Sequence, residues 1–178
     1  GIYKSTDLGA TWESIDETNP NYNATTGIVD ITNNTWSTVI RLESHPTNSD
    51  VLLAGTGSGL RISKNATDGA GAITFALANA PSNNGEVSDI KILPNGVDAW
   101  AAIGGRIYKT SDIENGSWTQ ISNIGGSGSR AQIGISSLDA SGGYYTYVSF
   151  TNGSGCLAGL FKSEDKGVTW SQIAFAGG

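Results

Sequence analysis

The sequence predicts an all-β fold built from one repeated unit, and two observations support this. The first is an eight-residue pattern that occurs clearly at residues 5–12 and 163–170 and in altered form at 63–75 and 110–118. The second is a series of short segments rich in β-branched and aromatic residues, separated by turns that contain Gly, Pro and Asn. Such spacing is typical of strands, whereas no stretch has the sustained period of a capped helix. Self-similarity of this kind marks repeat architectures.

The eight-residue pattern has the chemistry of a tight turn between two strands, and we call its copies the aspartate turns. A carboxylate such as Asp7 or Asp165 can accept hydrogen bonds from backbone N–H groups that follow it closely in the chain. Gly9 and Gly167 supply the positive φ that such a turn needs, without the steric penalty of a Cβ atom. The Thr-Trp pair that follows suits the start of a half-buried strand. Each aspartate turn is therefore predicted to join the strands of a β-hairpin.

Between one aspartate turn and the next, the sequence predicts a cycle of four strands. The predicted strands are 36–43, 51–55, 60–64 and 73–77, then 87–93, 99–103, 106–109 and 118–121, then 131–136, 144–150, 159–162 and 170–175. Four strands in a cycle of roughly 40–50 residues are typical of a β-propeller blade. We therefore predict a β-propeller of four-stranded antiparallel blades, with about three and a half blades present.

The predicted blades do not complete a ring. Residues 1–15 form a half blade, and residues 36–79, 85–123 and 129–176 form three blades. Propeller rings usually contain about 4–8 blades and close on themselves to protect their edges. We therefore interpret residues 1–178 as a partial β-propeller and a segment of a larger ring. The remainder of that propeller is then an expected partner.

The composition restricts the classes of partner and compartment. The formal net charge of −6 and the pI of about 4.6 disfavour nucleic acid as a partner. No apolar run reaches the roughly 18 residues of a spanning helix, so no membrane insertion is expected. With 25 glycines, 15% charged residues and abundant Asn, Ser and Thr, the mixture favours a secreted or cell-surface protein. The single cysteine, Cys156, cannot form an internal disulfide. No cofactor or metal is predicted.

The aspartate turns match the motif S-x-D-x-G-x-T-W, and the chain resembles the Asp-box (BNR) propeller proteins over nearly its whole length. Two turns match at every defined position, the third has a longer loop, and the second lacks the Asp at its proper place. In those families the turns lie on the outer rim and hold a hairpin together. The resemblance implies this structural role for Ser5, Asp7, Gly9, Thr11, Trp12, Asp112, Trp118, Ser163, Asp165, Gly167, Thr169 and Trp170. The shared position of Trp12, Trp118 and Trp170 favours packing between blades.

Two enzyme families with such propellers allow a test for catalysis. Sialidases need three clustered arginines for a substrate carboxylate. Here Arg61 and Arg106 occupy equivalent places at the start of a third strand, which the repeat alone explains, and the F/Y-R-I-P motif is absent. Xyloglucan-active endoglucanases carry a catalytic Asp in a segment resembling R-T-D-V-G-G-A-Y-R, where this chain has Gly57, and the parallel segment 102–106 lacks it too. These departures disfavour hydrolysis, which usually needs two carboxylates. The remaining acidic residues are expected to be solvated: Asp30, Glu43, Glu86, Asp89, Asp98 and Asp139.

The sequence also suggests binding residues. The long polar loop 16–35 is among the least repeat-like segments, and binding residues concentrate in such loops. The candidate ligand contacts are Tyr22, Trp36, Arg41, Arg61 and Arg106, and the candidate glycosylation sites are Asn23, Asn33, Asn65, Asn115 and Asn152. The predicted function is a non-catalytic binding scaffold for a glycan or protein ligand, similar to sortilin-type domains and to large exported bacterial propellers that use type IX secretion. The alternative is part of a glycoside hydrolase, resembling either the xyloglucanases or the sialidases.

Overall fold

The computed structural model describes residues 1–19, 22–23, 28–29 and 35–175. In this part of the chain sixteen strands form three four-stranded sheets and two hairpins, and the one helix is a 3₁₀ turn over Asp16–Thr18. The predicted fold class, all-β with four-stranded antiparallel sheets, is confirmed. Over the same ranges, no helix has the length and apolar character needed to cross a membrane.

The three sheets share one topology, in which each strand pairs antiparallel with the next one along the chain. The first sheet contains β5 (Val39–Ser44), β6 (Leu52–Thr56), β7 (Gly59–Ser63) and β8 (Ala76–Leu77). The second contains β9 (Val87–Ile92), β10 (Ala99–Ile103), β11 (Arg106–Thr110) and β12 (Thr119–Gln120). The third contains β13 (Arg130–Ile135), β14 (Thr146–Thr151), β15 (Leu157–Ser163) and β16 (Ser171–Phe175). An N-terminal hairpin pairs β1 (Tyr3–Lys4) with β2 (Glu13–Ser14), and β3 (Tyr22–Asn23) pairs with β4 (Ile28–Val29). The division into a half blade and three blades of a larger ring stays a prediction.

The second sheet is the most deeply buried, because a neighbouring sheet covers each of its faces. All five residues of β10 are buried, and they alternate between the two neighbours. Ala99, Ala101 and Ile103 face the first sheet, whereas Trp100 and Ala102 face the third. This is why β10 consists of apolar residues without the polar alternation of a half-exposed strand.

Apolar clusters join the sheets to one another and to the N-terminal hairpin. Between the first and second sheets the larger buried side chains are Leu53, Leu60, Ile90, Tyr108 and Trp118. Between the second and third sheets they are Trp100, Ile107, Val148, Phe150 and Phe161. Between the hairpin and the first sheet they are Ile2, Ile15, Trp36, Ile73 and Phe75. The order in space is therefore hairpin, first sheet, second sheet, third sheet.

The tryptophans that follow the aspartate turns are buried to different extents. Trp118 is 2% exposed, and Trp170 is partly buried with its ring edge-on to Trp100 at 6.2 Å. Trp12, by contrast, is 62% exposed. The prediction that all three pack between sheets is therefore wrong for Trp12. The reason is that no described sheet covers the outer turn of the N-terminal hairpin.

Candidate functional site

The first strands of the three sheets bring polar side chains together at matching positions. Strand β9 contacts both β5 and β13. Counted through the strand pairing, Arg41, Asp89 and Gln132 hold one repeated position, opposite Gly55, Ala102 and Ser149 of their second strands. Two residues further along each strand, and hence on the same side, the residues are Glu43, Lys91 and Gly134. We call these six residues the inner cluster.

Asp89 is the centre of the inner cluster. Its side chain is only 1% exposed, yet its Oδ1 lies 3.4 Å from Arg41 Nε and 3.4 Å from Lys91 Nζ. The backbone N–H of Ile90 donates to the same oxygen at 3.0 Å, and the N–H of Ile133 donates to Oδ2 at 2.8 Å. Two cations at ion-pair distance and two backbone hydrogen bonds therefore surround this carboxylate. Asp89 therefore joins the three sheets, and the prediction that it is solvated is wrong.

The other members of the inner cluster remain accessible. The side chains of Arg41 and Lys91 are 43% and 36% exposed. Arg41 Nη2 donates to Gln132 Oε1 at 3.3 Å, and Gln132 Nε2 donates to the carbonyl of Ser88 at 3.1 Å, so both side chains are held in place. These exposed groups are donors and acceptors with which a polar ligand can form hydrogen bonds.

Glu43 differs electrostatically from Asp89. Partial burial raises the pKa of its carboxyl group, and the nearby Asp89 acts in the same direction. Lys91 and Arg41 oppose this shift by favouring the charged form. Gly134 holds the same register position in the third sheet, where it is exposed and has no side chain. We call this shared position the open level: it has an acid in the first sheet, a cation in the second and an open place without a side chain in the third. Over the described ranges no group of three His, Cys, Asp or Glu residues could hold a metal ion.

The two complete aspartate turns have the same hydrogen bonds. In the first, the Ser5 hydroxyl and the Thr11 N–H both donate to Asp7 Oδ1 at 2.8 Å, and the Thr11 hydroxyl donates to Oδ2 at 2.6 Å. Ser163 and Thr169 make the same three contacts with Asp165, at 2.8, 2.8 and 2.6 Å. Hydrogen bonds from the threonines, followed by smaller contributions, lower the pKa of each aspartate to about 2. Both carboxylates are therefore used within their own turns.

The glycine and tryptophan of each complete turn also take part in its hydrogen bonds. The N–H groups of Gly9 and Gly167 donate to the serine hydroxyls at 2.8 Å. The indole N–H groups of Trp12 and Trp170 donate to the carbonyls of the same glycines, at 3.1 and 3.2 Å.

The two altered turns keep part of this geometry. Asn65 occupies the aspartate position of the second turn, where its Oδ1 accepts the Ser63 hydroxyl at 3.2 Å and the Thr74 N–H at 3.1 Å. In the third turn Asp112 Oδ1 accepts the N–H of Asn115 at 3.0 Å. An amide oxygen can replace a carboxylate here because the turn needs an acceptor and not a charge.

The three candidate arginines lie in different environments. Arg41 belongs to the inner cluster. Arg61, the third residue of β7, lies over the ring of Trp36 at 5.3 Å, and its Nε is buried without a hydrogen-bond partner. Burial lowers the pKa of this guanidinium, and Glu17 opposes the shift. Arg106 is exposed at the first position of β11. The two are therefore not equivalent, and the predicted equivalence is wrong, because Arg61 is the third residue of β7 and Arg106 is the first residue of β11.

Trp36 does not have the exposure that its predicted ligand contact requires. The residue is 7% exposed, and its ring meets Phe75 edge-on at 4.9 Å. Arg61 covers part of the same ring. A ring that is enclosed in this way has no free face for a sugar. The stacking role predicted for Trp36 is therefore replaced by a packing role beside the N-terminal hairpin.

The remaining candidate residues are asparagines and Tyr22. Asn33 lies outside the described residues, and Tyr22 and Asn23 are described only as the backbone of β3. Asn65 Nδ2 donates to the carbonyl of Ala72 at 2.9 Å, and Asn115 Oδ1 accepts Lys64 Nζ at 2.9 Å. Asn152 Oδ1 accepts the N–H of Ser154 at 2.9 Å. Glycosylation of these sites stays a prediction.

Comparison with known proteins shows the fold. No protein-family model matches the chain, and no curated protein matches it. Among solved structures, the chain is similar to an ancestral GH74 enzyme, with a TM-score of 0.64 and 19% identity over 98% of this chain and 21% of that one. It is also similar to the GH74 xyloglucanase from Xanthomonas campestris, with a TM-score of 0.62 and 14% identity over 98% of this chain and 27% of that one. The chain thus spans about a quarter or less of the length of these proteins. Its blade-like sheets fit a partial propeller.

Proposed function

We propose that the chain is part of a secreted or cell-surface Asp-box propeller that binds a glycan or protein ligand without catalysing a reaction. The inner cluster is the proposed binding site, and the remainder of the propeller is the proposed partner of its exposed faces. The observation that carries this proposal is the enclosure of Asp89 by two ion pairs and two backbone hydrogen bonds, which come from three sheets. The acidic, glycine-rich composition supports the extracellular location.

The state of Asp89 argues for binding over hydrolysis. Glycoside hydrolysis usually needs two carboxyl groups that can reach the scissile bond, one to donate a proton and one to act as base or nucleophile. Asp89 is buried, and each of its carboxylate oxygens accepts a backbone hydrogen bond, so the carboxylate is not accessible to a substrate. Glu43 then remains as the single accessible carboxyl group of the inner cluster. One carboxyl group can orient a ligand, but it does not complete the usual pair.

The open level of the inner cluster supports a ligand rich in hydroxyl groups. Glu43 and Lys91 supply an acceptor and a donor on neighbouring strands, and Gly134 leaves the third place free. A Cβ on Gly134 would lie 3.7 Å from Tyr147 Cβ, which is ordinary contact, so a side chain can be added there without a clash. Gly134→Gln is therefore a variant that fills the open place while the sheet is kept.

Calorimetric titration with a xyloglucan oligosaccharide tests the glycan part of the proposal, since one structural neighbour is a xyloglucanase. We expect saturable binding that Lys91→Ala and Gly134→Gln each weaken at least tenfold. The matched control is Lys64→Ala, an exposed lysine on the outer part of the first sheet, which should bind like the parent chain. Equal binding by Lys91→Ala, Gly134→Gln and the parent would refute the site. Binding by none of them would refute this glycan as ligand.

A glycoside hydrolase is the second candidate function, and the raised pKa of Glu43 favours it. A carboxyl group that stays protonated at higher pH is suited to donate a proton to a leaving group. The assay is the release of reducing ends from xyloglucan by the 178-residue chain. Release that Glu43→Gln abolishes and Lys64→Ala leaves unchanged would establish hydrolysis and overturn the non-catalytic proposal. We expect no release above that of a heat-denatured sample.

A further inference from the structure

Asn-Gly pairs are places where an amide side chain can react with its own backbone. The backbone nitrogen of the glycine attacks the Cγ atom of the asparagine, and glycine favours this step because it has no Cβ to hinder the approach. The chain contains four such pairs, at residues 84–85, 95–96, 115–116 and 152–153. The attack requires an asparagine side chain that is free to turn and a glycine N–H without a hydrogen bond. The structure distinguishes the four pairs by these two requirements.

Three of the pairs are held by hydrogen bonds. The N–H of Gly96 donates to a backbone carbonyl at 2.9 Å, and Asn95 Oδ1 accepts two backbone N–H groups at 2.9 and 3.2 Å. The N–H of Gly116 donates to a backbone carbonyl at 3.0 Å, and Asn115 Oδ1 accepts a lysine ammonium group at 2.9 Å. Asn152 Oδ1 accepts two backbone N–H groups, at 2.9 and 3.0 Å. Each of these pairs must therefore break at least two hydrogen bonds before it can react.

Asn84 differs from the other three asparagines. It is exposed, and no described residue forms a hydrogen bond with its side-chain amide. The N–H of Gly85 also lacks an acceptor in the part of the chain that the structure describes. The preceding Asn83 shows the contrast, because it is buried and its amide binds the backbone N–H and carbonyl of Leu60 at 2.6 and 2.9 Å. Of the four pairs, residues 84–85 therefore meet both requirements.

We propose that Asn84 of the folded chain converts spontaneously into aspartate and isoaspartate. The backbone nitrogen of Gly85 forms a bond to Asn84 Cγ and gives its proton to water. The bond between Cγ and Nδ2 then breaks, and the nitrogen takes up a proton from water and leaves as ammonia. The product is a cyclic succinimide, which a water molecule opens at either of its two carbonyls. Opening at one carbonyl gives aspartate, and opening at the other gives isoaspartate, in which the main chain passes through the former side chain.

The isoaspartate product disturbs the segment that joins the first sheet to the second. Gly85 packs so closely on Gly104 that a Cβ on Gly85 would lie 2.9 Å from the Cα of Gly104. The N–H of Gly104 also donates to the carbonyl of Glu86 at 2.8 Å. Isoaspartate adds one methylene group to the main chain directly before Gly85, so these contacts must shift. Aspartate leaves the main chain unchanged and adds only a negative charge at an exposed position.

Peptide mapping by mass spectrometry tests this inference on the folded 178-residue chain, incubated at mildly alkaline pH in heavy-oxygen water. Opening of a succinimide adds heavy oxygen, so newly formed products are counted separately from any that were present at the start. We expect residue 84 to react at least about tenfold faster than residues 95, 115 and 152, because those sites must first break hydrogen bonds. Asn84→Gln should abolish the reaction at this site, since glutamine would have to form a larger ring, which closes more slowly. Asn115→Gln is the matched control and should leave the rate at residue 84 unchanged.

The same chain unfolded in urea separates the effect of structure from that of sequence. All four pairs lose their hydrogen bonds there and share the same chemistry, so they should react at similar rates. A folded chain in which residue 84 does not react, or in which one of the other three reacts as fast, would overturn the proposal. Unequal rates in urea with residue 84 still the fastest would overturn it as well, because sequence alone would then explain the preference.

The stability of the separated products tests the effect on the main chain. The isoaspartate form should unfold at a lower urea concentration than Asn84→Asp, which has the same charge without the added methylene group. Asn84→Asp should in turn unfold like the parent, because residue 84 is exposed. Equal unfolding midpoints for the isoaspartate form and Asn84→Asp would refute the disturbance of the contact between Gly85 and Gly104.

Discussion

Gly9 and Gly167 occupy the same place in two aspartate turns, and replacing each by alanine separates backbone strain from packing between sheets. Both have a φ of +88°. A Cβ on Gly9 would have Trp12 at 3.7 Å as its nearest neighbour, which is ordinary contact. A Cβ on Gly167 would overlap the ring of Trp100, which is fully buried. The two substitutions therefore share one local penalty and differ in the packing they disturb.

The expected magnitudes follow from these two surroundings. A left-handed backbone costs a non-glycine residue about 1–2 kcal/mol, so Gly9→Ala should lower the free energy of unfolding by that amount. Overpacking of a buried site adds about 1–3 kcal/mol, so Gly167→Ala should cost that much more than Gly9→Ala. The difference between the two variants is the quantity of interest, because the shared strain cancels in it.

Urea unfolding followed by tryptophan fluorescence and circular dichroism measures both variants. The slopes of free energy against urea concentration should agree with the parent, which shows that the same transition is being compared. If the two variants differ by less than about 0.5 kcal/mol, the third sheet does not pack on Trp100 as described. A larger loss in Gly9→Ala than in Gly167→Ala would contradict the reasoning outright.

Three further predictions concern the inner cluster, the turns and the core. Asp89→Ala should lower the free energy of unfolding in urea by about 2–4 kcal/mol, because it leaves the Ile133 N–H unpaired. Asp89→Asn should cost less because it keeps an acceptor. A loss below about 1 kcal/mol for Asp89→Ala would contradict the connection of the three sheets through Asp89. The pKa of Asp165, lowered from 3.8 to about 2, predicts that its contribution to stability is present above pH 3.8 and lost as pH falls through 2. Thermal unfolding between pH 5 and 2 checks this, and Asp165→Asn should show a weaker pH dependence than the parent. Trp36→Ala should cost about 3–5 kcal/mol of stability as a core residue, whereas Trp12→Ala should cost little because Trp12 is exposed; similar losses in urea unfolding would refute this assignment.

The aspartate turns could be predicted from the sequence because their physics is local. Asp7 and Asp165 accept hydrogen bonds from residues no more than four positions away, so the pattern itself contains all the partners. The strands between turns could be predicted for the same reason, from alternation and turn residues. Their exposure could not, because it depends on which sheet lies opposite. Trp12 and Trp170 show this, since the same motif gives one exposed and one partly buried ring.

The inner cluster was missed because its contacts join distant parts of the sequence. Asp89 and the N–H of Ile133 are 44 residues apart, and no local pattern links them. A signal was nevertheless present. Asp89 and Gln132 each lie 14 residues after the end of the preceding aspartate turn, so counting aligns an anion with an amide. Arg41 joins this position only through the strand pairing, because the longer loop after residue 12 shifts it in the sequence.

Variation at an otherwise repeated position indicates where a repeat protein has a particular task. The turns repeat because each must close the same hairpin, and the apolar positions repeat because each sheet must pack on the next. Neither requirement explains why Arg41, Asp89 and Gln132 differ at one register position. Neither explains why the next position on the same side has Glu43 and Lys91 in two sheets and Gly134 in the third. Arg41 contacts both Asp89 and Gln132, and Asp89 accepts the N–H of Ile133, so these contacts need all three sheets in one fixed arrangement. An accessible acid, a cation and an open place beside them are what a polar ligand can use. These are the grounds on which we propose the inner cluster as the binding site.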